Sequence, residues 1–416
     1  MRPWVVRNLV AAAATATVAT PGAQARLASH VGAASMVCRR RIQQKGQQAW
    51  MSSSSNSMAA IDLAIRVERA TDFETTLDQH NQYAQVPQRA VIEVSGMDAA
   101  EFLQGMQCND MSAIDQGSGG MVTGFLAPQG RMVADAFVYR RRTAGSVAHP
   151  PAFLVEVDQR VKERLLKTLQ FYKLRAKITL RDAADEYGVW SVWGPDSAAL
   201  ADTPAAVDAW LADRRAPGMG LRLVATADQI QALVATRFAR VAGERYTLRR
   251  VLKGVAEGAG DFVAGAAVPL ECNLDYMQGV HFGKGCYVGQ ELTIRTHHRG
   301  VVRKRIVPAL LSRKGEGGGA ALAINPAFGP EQAPAPQTDI AYVTAEPDDP
   351  QRAPSARLRR PPGRMATTVL NAALALVRLD LVGPHVTLET VGADGQRLVV
   401  TPWTPSWWPQ APQPRV

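Results

Sequence analysis

Residues 269–305 read PLECNLDYMQGVHFGKGCYVGQELTIRTHHRGVVRKR, and no other stretch constrains the fold and the chemistry of the chain as strongly. At its centre is the octapeptide KGCYVGQE, residues 284–291, in which glycines flank Cys286 on both sides. Glycine lets the backbone turn, or approach a ligand, where a Cβ atom would clash. The pattern therefore predicts a tight turn or a close approach to a ligand around the cysteine.

Four residues of the octapeptide are candidate catalytic residues: Cys286, Lys284, Gln290 and Glu291. A neighbouring ammonium favours thiolate over thiol, and thiolate is the form that attacks electrophiles or binds metal. Cys286 is therefore also the candidate metal ligand. Gln290 and Glu291 are candidates to hydrogen-bond a heteroaromatic ligand or to fix the loop. Spacing alone leaves open the alternative that Cys286 is a small buried apolar residue in a tight turn.

Two other readings of this segment fail on spacing. Residues 279–284 are one residue short of a phosphate-binding loop, and Gly285 stands where Ser or Thr would bind magnesium. The intervals between the cysteines and histidines of the segment match no familiar zinc pattern. The chain has four cysteines and no Cys-x-x-Cys pair, which is consistent with a reducing compartment.

Outward from this segment, the sequence predicts an α+β fold rather than a doubly wound sheet, because short strands and amphipathic helices do not alternate regularly. Residues 89–95 alternate as a strand, Asp98 and Glu101 form a capping-box pattern, and two apolar runs around residues 128–130 predict a hairpin. Val161, Leu165, Leu169 and Tyr172 recur at helical spacing. We expect an α+β region over residues 88–300 and a C-terminal β-barrel over 301–416, with a disordered insertion at about 313–364.

The N-terminal segment, residues 1–57, is rich in Ala, Ser, Thr and Arg and predicts a mitochondrial presequence. It holds seven of the 47 Lys and Arg residues and none of the 37 Asp and Glu residues, so the remaining chain has a formal charge of only +3. We therefore expect no cationic face for nucleic acid. No apolar stretch is long enough to cross a bilayer, so no membrane insertion is expected.

The octapeptide resembles the signature of the YgfZ-like branch of the folate-binding aminomethyltransferase superfamily, which includes the glycine-cleavage T protein. Further segments that resemble this family make the similarity cover most of residues 89–410; they are residues 95–110, 125–135, 246–261, 373–380 and 405–409. The resemblance implies α+β domains around a central folate-sized cavity, closed by a C-terminal barrel.

The same resemblance implies a cofactor site. Its candidate residues for tetrahydrofolate are Asn109, Asp135, Arg249, Glu257, Asn273 and Asp275. A carboxylate suits a pterin because its two oxygens accept hydrogen bonds from adjacent ring N–H groups. The alternative for Glu257, a surface helix position, stays open.

The resemblance also implies a role in the mitochondrial matrix, late in the assembly of [4Fe–4S] proteins. The implied partners are A-type iron–sulfur carrier proteins and [4Fe–4S] client enzymes, with a transient shared iron–sulfur cluster held through Cys286. A folate-dependent one-carbon (aminomethyl) transferase and a non-catalytic folate-binding module are the alternatives. The glycine-cleavage enzymes have paired aspartates where this chain has Ala134 and Asp135, which argues against aminomethyl transfer and against a classical enzyme.

Overall fold

The computed structural model describes residues 66–67, 69, 72–114, 119–143, 146–147, 150–202, 207–234, 236–313, 322–343, 361–383 and 386–409. These residues all belong to one unit, Ala64–Val416. The predicted presequence, residues 1–57, lies outside the described residues.

The strands in this part of the chain fall into an N-terminal group, a middle group and a C-terminal group. The first is β1 (Arg66–Val67), β2 (Gln82–Gln85), β3 (Arg89–Ser95), β4 (Gly120–Leu126), β5 (Met132–Arg140), β6 (Arg142–Thr143), β7 (Ser146–Val147) and β8 (Ala152–Asp158). The second is β9 (Thr179–Asp182), β10 (Gly188–Trp193), β11 (Ala209–Ala212), β12 (Leu221–Ala225) and β13 (Ala239–Arg240). The third is β14 (Lys304–Arg313), β15 (Leu322–Ala323), β16 (Asp339–Val343), β17 (Gly363–Val369), β18 (Ala372–Arg378), β19 (Thr387–Val391) and β20 (Arg397–Pro402).

Helices connect these strands and cover the sheets. They are α1 (Phe73–Thr76), α2 (Ala99–Met106), α3 (Gln159–Lys173), α4 (Ala227–Val234), α5 (Gly243–Leu252) and α6 (Gln290–Arg299), with short 3₁₀ helices at Ser197–Asp202 and Leu379–Leu381. The mixture of helices and largely antiparallel sheets confirms the predicted α+β class.

Two five-stranded sheets form the region before the barrel. The first has the strand order β4-β5-β8-β3-β9 and the second has the order β11-β12-β10-β2-β13. The predicted hairpin is confirmed, since β4 and β5 pair in antiparallel register on either side of the turn that contains Gly130. This turn matters for function, because α6 begins against it.

Helix α3 packs on β3, β5, β8 and β9 of the first sheet. Its buried residues are the four whose spacing predicted a helix, and Asp158 caps its N-terminus by accepting a hydrogen bond from the Arg160 amide. Apolar residues three and four positions apart lie on one side of a helix, so the opposite side of α3 remains in contact with solvent.

The C-terminal strands confirm the predicted barrel. They close in the order β14-β18-β17-β16-β19-β20, with β14 paired to β18 along its first part and to β20 along its last part. The inside is filled by buried apolar side chains such as Val307, Met365 and Leu388. Helix α5 lies against β17 and β18, which attaches the barrel to the preceding region.

Two expectations need correction. A single disordered insertion over about 313–364 is wrong for its middle part, because 322–343 contains β15 and β16, and β16 pairs with β17 and β19 of the barrel. Residues 314–321 and 344–360 lie outside the described residues. The capping box at Asp98 does not form, because its carboxylate accepts a hydrogen bond from the Lys177 amide instead.

Among the residues that the structure describes, no helix combines the length and the apolar character needed to cross a membrane.

Candidate functional site

The loop over residues 279–289 lies against the C-terminal end of α2 and leads into α6. Two backbone hydrogen bonds attach it there: His281 N donates to Cys108 O at 3.0 Å, and Val288 N donates to Gly105 O at 3.1 Å. The loop is therefore fixed on both sides of its central residues.

A third attachment comes from the side chain of Lys284. Its Nζ donates to three backbone carbonyl oxygens, those of Gln104 at 2.7 Å, Gln107 at 2.7 Å and Asn109 at 2.6 Å. The ammonium also lies 5.0 Å from the centroid of the Tyr287 ring. The last carbonyl groups of a helix lack partners within the helix and carry partial negative charge, so a cation is stabilised at this end.

This geometry shows where the N–H groups of Lys284 go. An ammonium has three N–H groups, and carbonyl oxygens accept all three, so none of them donates to Cys286. The expected effect of the ammonium charge on the Cys286 thiol stays a prediction. Burial lowers the pKa of Lys284 to about 8, against the smaller opposing effects of Cys108 and Asp110. Lys284 thus positions the loop that carries the cysteine.

Cys286 is exposed, so the alternative of a small buried apolar residue is wrong. A Cβ atom added to the preceding Gly285 would meet nothing within 4 Å, which places this part of the loop in open space. The other two cysteines of the described chain, Cys108 and Cys272, are buried, and burial raises the pKa of both thiols. Of these three thiols, only that of Cys286 faces solvent.

Helix α6 begins directly after the loop, at a glycine in the left-handed region. Gly289 has φ +79°, and a Cβ atom there would lie 2.3 Å from Ala127 O in the β4–β5 turn. Gly130 in that turn has φ +77°, and its Cβ would lie 2.6 Å from Leu292 Cβ. Two glycines thus allow the loop and the hairpin to touch, because neither position has room for a side chain.

Gln290 and Glu291 form the first turn of α6. The Oε1 atom of Gln290 accepts a hydrogen bond from Tyr287 N at 3.2 Å, so this side chain fixes the end of the loop, as one of its two expected roles required. Glu291 is exposed at the helix N-terminus, where a negative charge is favourable.

Asn109 is the one candidate cofactor residue that lies beside the cysteine loop. Its Nδ2 donates to Val122 O at 2.7 Å and to Gln278 O at 2.8 Å, while its backbone oxygen accepts from Lys284. It therefore links strand β4 to both the start and the centre of the loop.

Glu257 and Asp135 lie elsewhere, in a buried cluster of charged residues. Glu257 Oε2 accepts hydrogen bonds at 2.7 Å from Arg215 Nη1 and from the Tyr246 hydroxyl, and it forms an ion pair with Arg222 at 3.2 Å. The alternative of a surface position for Glu257 is wrong, since this residue is only 6% exposed.

Asp135 belongs to the same cluster through Arg89. Its Oδ2 pairs with Arg89 Nη1 at 3.2 Å, and its Oδ1 accepts from Gly258 N at 3.1 Å. The second partner of Arg89 is Glu156, 2.6 Å from its Nε. These contacts join the first sheet to the segment that follows α5.

The two candidate carboxylates differ in how the cluster affects them. Burial on its own raises the pKa of Glu257, but the charges of Arg222, Arg215 and Arg89 outweigh it and hold this pKa well below its ordinary value. Burial raises the pKa of Asp135, and Arg89 offsets only part of that effect. Glu257 is therefore an internal counter-ion, whereas Asp135 takes up a proton more readily than an ordinary aspartate.

Arg249 is separate from that cluster. Its Nε donates to Asp78 Oδ1 at 2.6 Å, and its guanidinium lies 5.1 Å from the centroid of the Trp193 ring. Lys253 Nζ also bonds to Asp78, at 2.7 Å from Oδ2. Arg249 therefore links α5 to the segment that follows α1.

Asn273 and Asp275 fasten the segment before the loop to the first barrel strand. Asn273 has φ +61°, and its Nδ2 donates to Ile306 O at 2.6 Å. The two carboxylate oxygens of Asp275 each lie 2.8 Å from a nitrogen of Arg305, a bidentate pair. Both side chains have a structural partner within the protein.

The residues expected to hold tetrahydrofolate already have partners within the protein. The Oε2 atom of Glu257 accepts from arginine and tyrosine, and the Arg215 and Arg222 guanidinium groups lie over the Phe137 ring, 4.6 and 4.8 Å from its centroid. Two cavities of the described chain, of 520 and 400 Å³, are lined by neither Glu257 nor Asp135. Tetrahydrofolate binding stays a prediction.

One histidine near the loop, His297, stacks on an aromatic ring. Phe282 and His297 have ring centroids 3.6 Å apart, and His297 contacts His298 at 5.1 Å. Within the part of the chain that the structure describes, no three His, Cys, Asp or Glu side chains are grouped so that they could hold a metal ion.

The arginines and the tyrosine that surround Glu257 are not among the residues that the sequence predicts for the site. Arg222 is the residue with a detectable signal, because it interrupts the otherwise apolar strand β12, LRLVA. A charged residue in such a strand is buried only when it has a partner, and both Glu156 and Glu257 provide one.

Comparison with known proteins places this geometry in a class. Residues 78–237 match the GCVT N-terminal domain, and residues 303–410 match the CAF17 C-terminal β-barrel domain. Among solved structures, glycine cleavage system aminomethyltransferase T from Bartonella henselae has a TM-score of 0.55 at 12% identity, with 81% of this chain and 89% of that chain covered. The fold is thus that of an aminomethyltransferase-like protein with a CAF17-type barrel.

Similarity at the sequence level identifies a more specific group of relatives. "Iron-sulfur cluster assembly factor IBA57 homolog, mitochondrial" from Mycosarcoma maydis is 39% identical, with 78% of this chain and 84% of that protein covered. The homologue of the same name from Aspergillus oryzae is 39% identical, with 76% and 74% covered. The homologue from Neosartorya fischeri is 41% identical, with 60% of this chain and 62% of that protein covered. The chain belongs to the IBA57 family.

Proposed function

We propose that this protein is an iron–sulfur cluster assembly factor of the mitochondrial matrix, needed for the maturation of [4Fe–4S] proteins. Residues 1–57 serve as its transit peptide. The names of the IBA57 relatives support the assembly role, and the acid-free, Arg-rich N-terminal sequence supports import.

One observation carries the chemical part of this proposal: Cys286 is the exposed thiol among the three cysteines of the described chain. An iron–sulfur cluster is held mainly by cysteine thiolates, with four ligands for a [2Fe–2S] or a [4Fe–4S] cluster. A single accessible sulfur supplies one of these ligands. The cluster is therefore a shared cargo, and the remaining ligands come from a partner protein.

The loop geometry suits such sharing. Cys286 is exposed while the residues on both sides of it are attached, by Lys284 at one side and by Val288 at the other. A fixed backbone lowers the entropy that a ligand loses when metal binds. We infer that the partner is an A-type carrier protein, which approaches the loop from the solvent side and brings the cluster with its own cysteines.

The direct test is anaerobic reconstitution of the cluster on a mixture of the purified protein and an A-type carrier, followed by visible absorption. Wild type should form a complex whose spectrum differs from that of the carrier alone. Cys286→Ser should leave the carrier spectrum unchanged, and Ser112→Ala, at another exposed position near α2, should behave as wild type. Normal shared-cluster formation by Cys286→Ser would refute the assignment.

A second test separates this function from folate-dependent one-carbon transfer. In cells, Cys286→Ser should lower the activity of matrix [4Fe–4S] enzymes. Steady aminomethyl transfer with methylenetetrahydrofolate by the same variant would instead support the transferase. Calorimetric titration of the purified protein with tetrahydrofolate decides whether the predicted cofactor binds at all.

A further inference from the structure

Helix α3 and the residues after it are strongly basic. Residues 159–177 contain seven Lys or Arg residues and a single acidic residue, Glu163. The net charge does not show this concentration, because the chain after the presequence has a formal charge of only +3. The expectation that no cationic face serves nucleic acid stays a prediction.

Most of these cations face solvent. Arg160, Arg164 and Lys167 recur at spacings of four and three residues along an exposed side of α3. Phe171 and Leu174 continue the same line. Arg160 pairs with a carboxylate at the N-terminus of the helix. Of the later cations, Lys167, Lys173, Arg175 and Lys177 have no carboxylate partner within the described residues.

Exposed apolar side chains gather at the same place. The described chain has six large apolar residues that are exposed, and three of them lie at the C-terminal end of α3: Phe171 at 55%, Leu174 at 58% and Met97 at 64%. A fourth, Val263, lies beside Ala264, whose carbonyl oxygen accepts from Arg164. Single exposed apolar residues are ordinary, but four around one basic helix are not.

The backbone holds these residues outward. Leu174 has φ +44°, in the left-handed region, where it ends the helix. The following residues are attached to the start of α2, because Lys177 N donates to the Asp98 carboxylate at 2.7 Å. Met97 is the neighbour of that aspartate, which brings it to this end of α3.

We propose that this surface binds an anionic lipid bilayer; we call it the α3 face and define it by Arg164, Lys167, Phe171, Leu174 and Arg175. Bilayers with negative headgroups attract clustered Lys and Arg side chains, and exposed Phe and Leu side chains enter the region between headgroups and acyl chains. The inference does not depend on the function of Cys286.

The shape of the surface favours a bilayer over an acidic protein. A protein partner needs a complementary surface, usually with a pocket for each large anchor residue. The apolar residues of the α3 face stand out from a convex helix, and the two cavities described above include none of its residues. A bilayer accepts protruding side chains in any arrangement.

The test is co-sedimentation of the full chain with vesicles of phosphatidylcholine and phosphatidylglycerol, compared with vesicles of phosphatidylcholine alone. The presequence is cationic and contributes equally in all variants, so hydrogen exchange of peptides from residues 159–177 gives a second, local readout. We expect salt-sensitive binding to the anionic vesicles and slower exchange of these peptides. Absence of this protection would overturn the proposal.

Variants make the test specific. The double substitution Lys167→Gln and Arg175→Gln should weaken vesicle binding by about thirtyfold, at about 1 kcal/mol for each cation near an anionic surface. The matched control Arg214→Gln and Arg303→Gln removes two exposed cations elsewhere and should bind as wild type. Equal binding by both double variants would overturn the proposal, as would protection of the helix by polyglutamate but not by vesicles.

The apolar contribution is tested by Phe171→Ser. This change should weaken binding to anionic vesicles while it leaves the dependence on salt concentration as it is in wild type. If Phe171→Ser bound anionic vesicles as tightly as wild type, the proposed insertion into the bilayer would be wrong, and the binding would be purely electrostatic.

Discussion

Replacing Lys284 by Met tests whether this side chain positions the cysteine loop. The change keeps most of the side-chain volume and removes three hydrogen bonds to the end of α2. A hydrogen bond to a charged group contributes about 1.5–3 kcal/mol. Three such bonds contribute at least about 4.5 kcal/mol. The fall of the Lys284 pKa from 10.5 to about 8 corresponds to a burial cost of about 3.4 kcal/mol, so about 1 kcal/mol or more remains in favour of the attached loop.

The loss of this stabilisation should increase local opening of the loop, because the loop can detach without unfolding of the barrel or the sheets. In hydrogen exchange, peptides that contain the amides of His281 and Val288 should lose at least about fivefold in protection. Lys284→Arg keeps the charge, but its planar guanidinium does not converge on three carbonyl oxygens as an ammonium does, so it should restore little. Lys177→Met, at an exposed position, is the matched control. Unchanged protection in Lys284→Met would refute the positioning role.

Three further predictions concern the charge cluster and the glycines. Glu257→Gln should lower the free energy of unfolding by about 3 kcal/mol or more, because it leaves buried arginines without their counter-ion. The control Glu291→Gln, at the surface, should change this free energy by less than about 0.5 kcal/mol. Urea titration measures both variants, and equal effects would contradict the buried network. Gly289→Ala should destabilise the loop by at least about 1 kcal/mol, since a Cβ there would lie 2.3 Å from a carbonyl oxygen. Gly285→Ala should be tolerated, because a Cβ there would meet nothing within 4 Å. If both variants changed the hydrogen exchange of the loop equally, the prediction would be wrong. Glu257 and Glu156, unlike Asp135, have folded-state pKa values below their unfolded ones. The stability that these two glutamates contribute is therefore complete above about pH 4.5 and is lost as the pH falls toward their folded pKa values, and a urea midpoint that stays constant between about pH 6 and pH 3 would count against it.

Several elements were predictable because their causes are local. The four residues Val161, Leu165, Leu169 and Tyr172 define the buried side of α3, and periodicity alone locates them. The hairpin around Gly130 follows from two apolar runs and a turn sequence. Such features depend on residues within a few positions of one another.

Other features depend on contacts between distant parts of the chain. Asp98 has the sequence of a helix cap, yet its carboxylate accepts from Lys177, 79 residues away. Glu257 follows α5, whereas its partner Arg215 lies between β11 and β12 and its partner Arg222 lies in β12. No local pattern states which of two equally suitable partners a charged group will take.

The sequence by itself determined the α+β class, the C-terminal barrel, the helical register of α3 and the segment that carries Cys286. Each of these follows from periodicity, composition or a continuous motif. Only the tertiary structure decided that Lys284 bonds to the end of α2, that Glu257 is an internal counter-ion, and that a basic helix exposes Phe171 and Leu174 together. The physical reason is that charge and hydrogen-bonding groups act on whatever folding brings within a few ångströms, and sequence distance does not measure that separation.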